Sequence, residues 1–153
     1  MANTYSQISI QVVFAVKGRE NILRKEIRQD VFKYINGIVT GLGQTPLAIN
    51  GWQDHVHVLF GMEPSASISN LTGAIKANSS KWINDNKLIK GKFHWQDGYG
   101  AFSYSRSQRD TVINYIMNQE THHAKSSFKE EYLEMLKKAE IDYDERYLFE
   151  FYD

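Results

Sequence analysis

The chain of 153 residues contains no cysteine, which excludes disulfides, thiolate metal sites and thiol nucleophiles. Any metal would have to be held by histidine, carboxylate or amide groups. Proline is scarce, at two residues, Pro46 and Pro64. No Pro-rich linker, internal repeat or low-complexity tract divides the chain, so one domain spanning 1–153 is expected. No apolar run approaches the roughly 20 residues of a membrane span. Met1 to Ser6 lack the basic and apolar regions of a signal peptide, so a cytoplasmic location with no membrane partner is expected. Net charge is lacking too, with 18 basic residues against 18 acidic. That balance hides an asymmetry: residues 1–119 hold 13 Lys/Arg and 8 Asp/Glu, residues 120–153 hold 5 and 10. The pattern describes a mildly basic body able to meet polyanions, followed by an acidic tail.

Hydrophobic residues make up 42% of the chain and charged residues 24%, which fits an ordinary globular protein and excludes a disordered polyelectrolyte. Ile8, Ile10, Val12, Phe14 and Val16 alternate with Gln7, Ser9 and Gln11, predicting a first strand with one buried face. Leu23, Ile27, Val31, Ile35, Ile38 and Leu42 recur at helical spacing over about 20–42, with Gly41 and Gly43 to end the helix. Thr45–Asn50 and Asp54–Met62 read as two strands around an Asn50-Gly51 turn signal. A second helix is predicted over about 67–86. A further strand is expected within Phe93–Tyr104. A third helix is predicted over about 108–121, capped by Ser107. Ser127 and Glu130 form a capping box before a fourth helix reaching about Glu140. The order predicts an α+β fold, an antiparallel sheet with helices packed mainly on one face in a ferredoxin-like arrangement. The aromatic, acidic tail, about 141–153, takes no assignment beyond packing on its own chain.

Chemistry concentrates in two places. In Asp54-His55-Val56-His57-Val58-Leu59-Phe60, residues two apart share a side of the strand, so His55 and His57 project together and Val56 and Val58 oppositely. They are a pair of metal ligands or a pair of satisfied imidazoles, and a partner motif has to decide. Asp54 points away from both on an ideal strand. In the third helix, Gln119 and His122 lie close around the axis from Tyr115, whereas Ile113, Ile116 and Met117 mark the buried stripe. Tyr115 therefore sits on the polar flank. His122 and His123 read as surface histidines near a helix C-terminus.

His55-Val56-His57 followed by Tyr115-x-x-x-Gln119 resembles the single-tyrosine HUH transposases of small bacterial insertion sequences and their REP-associated relatives. The resemblance extends over Thr4–Phe14, Asn50-Gly51-Trp52-Gln53-Asp54, the Lys76–Trp82 helix, Trp95–Gly100 and Asp144-Glu145-Arg146-Tyr147. It implies one divalent cation, Mg2+ or Mn2+, held by His55, His57 and Gln119; imidazole ligands favour a transition metal. It implies Tyr115 as the nucleophile that attacks a phosphorus of single-stranded DNA, expels a 3′-hydroxyl and keeps a 5′-phosphotyrosine, from which a second 3′-hydroxyl rejoins strands. A free phenol, with a pKa of about 10, needs help to ionise, and the sequence does not identify the base. The family implies hairpin DNA ends and a homodimer whose sites are completed in trans.

Lys76 and Lys81, on the second helix near Trp82, are candidate phosphate contacts. Two other classes fit parts of the pattern. One is a non-mobile nucleic-acid-binding or nicking protein of the same fold. The other is a small metal hydrolase using His55 and His57, for which no third strand supplies ligands.

Overall fold

A computed structural model describes residues 3–152; Met1, Ala2 and Asp153 of the expected domain lie outside the described residues. The strands are β1 (Ser9–Ala15), β2 (Thr45–Gly51), β3 (His55–Gly61) and β4 (Gly100–Tyr104). The helices are α1 (Lys25–Gly41), α2 (Ile68–Asp85), α3 (Arg109–Met117), α4 (Gln119–His123) and α5 (Phe128–Lys138). The sheet order is β2-β3-β1-β4, with every neighbouring pair antiparallel. The core is thus the βαββαβ of a ferredoxin-like fold, followed by three short helices. Among the described residues no helix is long and apolar enough to cross a membrane.

The alternation of β1 and β3 sorts the sheet into two faces. Val12 pairs with Val58, and Phe14 with Val56. With Val31 and Ile35 of α1 and Leu71 and Ile75 of α2 these residues form the main core. Val13 pairs with His57, and Ala15 with His55, on the other face. There Ala48, Leu59 and Ile116 form a second, smaller core. The expected single buried face of β1 is therefore incomplete: all seven of its residues are buried, Ser9 and Gln11 included. The short helices after β4 cover what the polar alternation suggested was open.

Several boundaries move for identifiable reasons. The Asn50-Gly51 pair is not the hairpin turn, because β2 runs through Gly51 and the turn is Trp52 to Asp54. Gly51 is required by close approach, since a Cβ there would stand 2.2 Å from the His55 carbonyl oxygen. The first helix starts at Lys25, after a 3-10 turn at Arg19–Asn21. The strand expected within Phe93–Tyr104 is confined to β4, with Trp95 forming a single bridge to Val16.

The third helix departs most. Ser105, not Ser107, caps it through a reciprocal box with Gln108, opening a 3-10 turn at Arg106–Gln108. It then breaks at Asn118 (φ −100°, ψ 25°). Asn50 Nδ2 donates to the Ile116 and Met117 carbonyls, at 3.1 and 3.2 Å, and pins this break to β2. Only Ile116 of the predicted stripe is buried; Met117 is 54% exposed. By contrast, the Ser127/Glu130 box caps α5 as its spacing predicts, and α2 opens with Ser67 as its cap. The tail docks on its own chain: Phe149 is buried, Gly18 N donates to Tyr152 Oη at 2.7 Å, and the Gln96 amide bonds the backbone of Glu150 on both sides.

Candidate metal centre

β3 delivers both imidazoles fully buried on the face that the short helices cover. Each ring has its outer nitrogen committed. His55 Nδ1 lies 2.7 Å from Asp54 Oδ1, a carboxylate that can only accept, so that nitrogen carries a proton. Gln11 Nε2 donates to Tyr104 Oη at 2.7 Å, which turns Gln11 Oε1 toward His57 Nδ1 at 2.6 Å and makes that nitrogen a donor as well. Both Nε2 atoms therefore face inward, the arrangement in which second partners orient imidazoles for a metal. Asp54 corrects the ideal-strand expectation. It lies in the turn before β3, where alternation does not apply, and bonds His55 directly.

Gln119, at the start of α4, is fully buried beneath them. Its Nε2 donates to Glu131 Oε2 at 2.9 Å, and its Oε1 faces His55 Nε2 at 3.0 Å. Glu131 of α5 occupies the middle. Its Oε1 is 3.1 Å from both His55 Nε2 and His57 Nε2 and 3.3 Å from His123 Nε2, and its Oε2 accepts from the Tyr115 hydroxyl. Tyr115 is thus beside the histidine pair of its own chain, its ring 6.4 Å from that of His57 and stacked on His122 at 4.2 Å. A cleft of about 540 Å³, lined by Gln11, Tyr104, Tyr115, His122 and Glu131 among others, opens beside the phenol.

The histidines expected at the surface are drawn inward. The His123 side chain is 1% exposed, 3.1 Å from Gln119 Oε1 and stacked on Trp52. Phe128 lies flat on His55, ring centroids 3.9 Å apart and planes 5° from parallel.

The electrostatics follow from this packing. Burial opposes a charge on His55, but Asp54 and Glu131 outweigh it and raise its pKa to about 9. Burial lowers that of His57 despite the nearby Glu131 carboxylate. Burial also opposes charge on Glu131, yet His57, His123 and His55 hold it well below the usual carboxylate range. Burial and the Glu131 charge push the Tyr115 phenol well above its ordinary value. The cluster therefore holds an ionised Glu131, a protonated Tyr115 and a charged His55 beside a neutral His57.

These donors fit a divalent cation. The inward Nε2 atoms of His55 and His57, an amide oxygen and a carboxylate oxygen converge on one place, and a cation that displaced the His55 proton would meet four donors there. His55, His57 and Glu131 bring their ligand atoms within 4.8 Å of one another. Ligands at right angles around a cation with bonds of about 2.1 Å lie about 3 Å apart, which is the spacing of Glu131 Oε1 from each histidine Nε2 and of Gln119 Oε1 from His55 Nε2.

Lys76 and Lys81 are not brought to this centre. Both lie on α2, which packs on the other face of the sheet. Lys76 Nζ donates to the Gln96 and Gly98 carbonyls at 2.7 and 3.0 Å, and Lys81 pairs with Asp85 at 2.5 Å.

Glu131, Asp54, Gln11 and Asn50 are functional neighbours that spacing missed. One signal for Glu131 existed: with Phe128, Tyr132 and Leu136 it falls on the apolar stripe of α5, where an isolated carboxylate needs partners.

The profile of the family described as transposase, IS200 like, matches residues 4–119. Among solved structures, a candidate transposase from Deinococcus radiodurans R1 is similar at 23% identity and a TM-score of 0.63, over 78% of this chain and 95% of that one. The structure of a REP-associated tyrosine transposase bound to a REP hairpin is similar at 13% identity and a TM-score of 0.59, over 80% and 73%. No curated protein matches the chain.

Proposed function

Because this chain belongs to the family of IS200-like transposases, we propose that it cuts and rejoins single-stranded DNA through a covalent bond to Tyr115. Tyr115 Oη attacks the scissile phosphorus; the new O–P bond forms as the P–O3′ bond breaks, releasing a 3′-hydroxyl. The 5′-phosphotyrosine conserves the linkage, so a second 3′-hydroxyl reverses the attack without another energy source. His55, His57 and Gln119 are the residues that would hold Mg2+ or Mn2+, a Lewis acid that offsets charge developing on the phosphate. Asp54 and Gln11 hold the two imidazoles in the tautomer that this requires.

The observation that carries this reading is the convergence of Tyr115, Gln119, His55 and His57 on one buried centre within a single chain. A site complete in one chain does not need the second copy that the resemblance implies, so our reading is cis assembly within one domain. Hairpin-bearing single-stranded DNA is the proposed partner, in keeping with the hairpin bound by the REP-associated relative of similar fold. Lys81 is the better phosphate contact of the two lysines, because its pair with Asp85 is solvent-exposed whereas Lys76 is tied to backbone carbonyls. The test is incubation with Mn2+ and a pool of single-stranded hairpins varied in stem and flank. The wild type should form a denaturant-resistant adduct and Tyr115→Phe none. Equal adduct from the variant would refute the assignment.

A further inference from the structure

We infer that Glu131 is a ligand of the cation centre, so that this chain binds its metal with two imidazoles and a carboxylate in addition to the Gln119 amide. The inference rests on the metal-dependent reading above and deepens it. Four observations support it. Glu131 is buried and lies among the candidate ligands, with Oε1 3.1 Å from the inward nitrogen of each strand histidine. Those nitrogens are the ones left to face the centre, since both Nδ1 atoms are occupied by Asp54 and Gln11, and the one further partner there, Gln119 Oε1 on His55 Nε2, is itself a candidate ligand. The second carboxylate oxygen is fixed by the Gln119 amide and the Tyr115 hydroxyl, so Oε1 is aimed rather than free to swing. And α5 is anchored on both sides of the residue, by the Ser127/Glu130 capping box before it and by buried Tyr132 and Leu136 after it.

Charge points the same way. Two imidazoles and an amide are all neutral and leave a divalent cation uncompensated in a buried site. An anionic oxygen removes part of that cost, and two histidines with one carboxylate form a set suited to first-row divalent metals. The same carboxylate would then tie the nucleophile to the cation, through Oε2 on the Tyr115 hydroxyl. Glu131 lies beyond residues 4–119, the segment that the family profile matches, so it belongs to the chain's C-terminal extension of that unit.

The experiment is direct Mn2+ binding at pH 7.5 without DNA, read as loss of the free-ion signal in electron paramagnetic resonance. It compares wild type, Glu131→Gln and His57→Ala, with circular dichroism confirming the fold. Glu131→Gln should bind Mn2+ at least about tenfold more weakly, and His57→Ala should lose binding. Wild-type or tighter binding by Glu131→Gln, with binding lost in His57→Ala, overturns the inference alone and leaves the histidine site standing. Undiminished binding by His57→Ala overturns the underlying metal site. If Glu131→Gln does not fold, Glu131→Asp asks the same question with the charge retained one methylene further back. Weakened binding in folded Asp protein supports the inference, and unchanged binding overturns it.

Discussion

Metal binding should be coupled to the loss of one proton, and the coupling has a defined pH window. Asp54 and Glu131 overcome burial to raise His55 from 6.5 to about 9, so at pH 7 a cation has to displace the proton that His55 Nε2 shares with Gln119 and Glu131. His57, Glu131 and Tyr115 add no titration there. Burial keeps His57 neutral, Glu131 stays ionised and Tyr115 stays protonated. Apparent Mn2+ affinity should therefore rise by close to tenfold per pH unit, or roughly twenty- to thirtyfold between pH 7 and 8.5. The metal-free protein should behave oppositely. A group whose folded pKa is raised stabilises the fold fully below its unfolded value and loses that contribution as pH rises through the folded one. Between pH 7 and above 9 that loss is of the order of 3 kcal/mol. Calorimetric Mn2+ titrations under argon in two buffers of different ionisation enthalpy measure affinity and proton release together. Thermal melts of the metal-free protein supply the second readout. An affinity flat from pH 7 to 8.5, with no proton released, would refute the reasoning, because His55 would already be neutral.

Other outcomes follow from the packing. Asn50→Ala removes the two bonds that pin the end of α3 to β2. It should cost about 1–2 kcal/mol in urea denaturation and reduce adduct formation by Tyr115 more than that loss explains. Phe128→Ala removes a fully buried ring stacked on His55 and packed against Tyr132, Phe149 and Phe151. A loss of about 3–5 kcal/mol is expected, measured by denaturant unfolding, together with weaker Mn2+ binding. Because Tyr115 meets the histidines of its own chain, an equimolar mixture of Tyr115→Phe and His57→Ala proteins should form no adduct. Recovery of adduct in that mixture would show that sites are shared between chains.

The core elements were legible because they are periodic. β1, β3, α1 and α2 each repeat an apolar residue at the spacing of their own geometry, and Ser127 with Glu130 marks the start of α5. What periodicity cannot carry is side-chain demand across the fold. The break at Asn118 is pinned by Asn50, 68 residues earlier in the chain, and the placing of Ser9 and Gln11 inside depends on helices that follow β4. The site divides in the same way. His55, His57, Tyr115 and Gln119 were recognisable from their types and order. Asp54, Gln11 and His123 became visible only through the bonds they make. Glu131 left a trace, a charge on an apolar stripe, that acquires meaning once β3 places two imidazoles opposite it.

The most direct measurement is the location of the DNA linkage itself. After reaction with single-stranded hairpin DNA and Mn2+, nuclease and protease digestion followed by peptide mass spectrometry should find the residual nucleotide phosphate on Tyr115 alone of the nine tyrosines. A phosphate carried by any other tyrosine, the exposed Tyr99 or Tyr147 for example, would contradict a nucleophile built into the histidine centre.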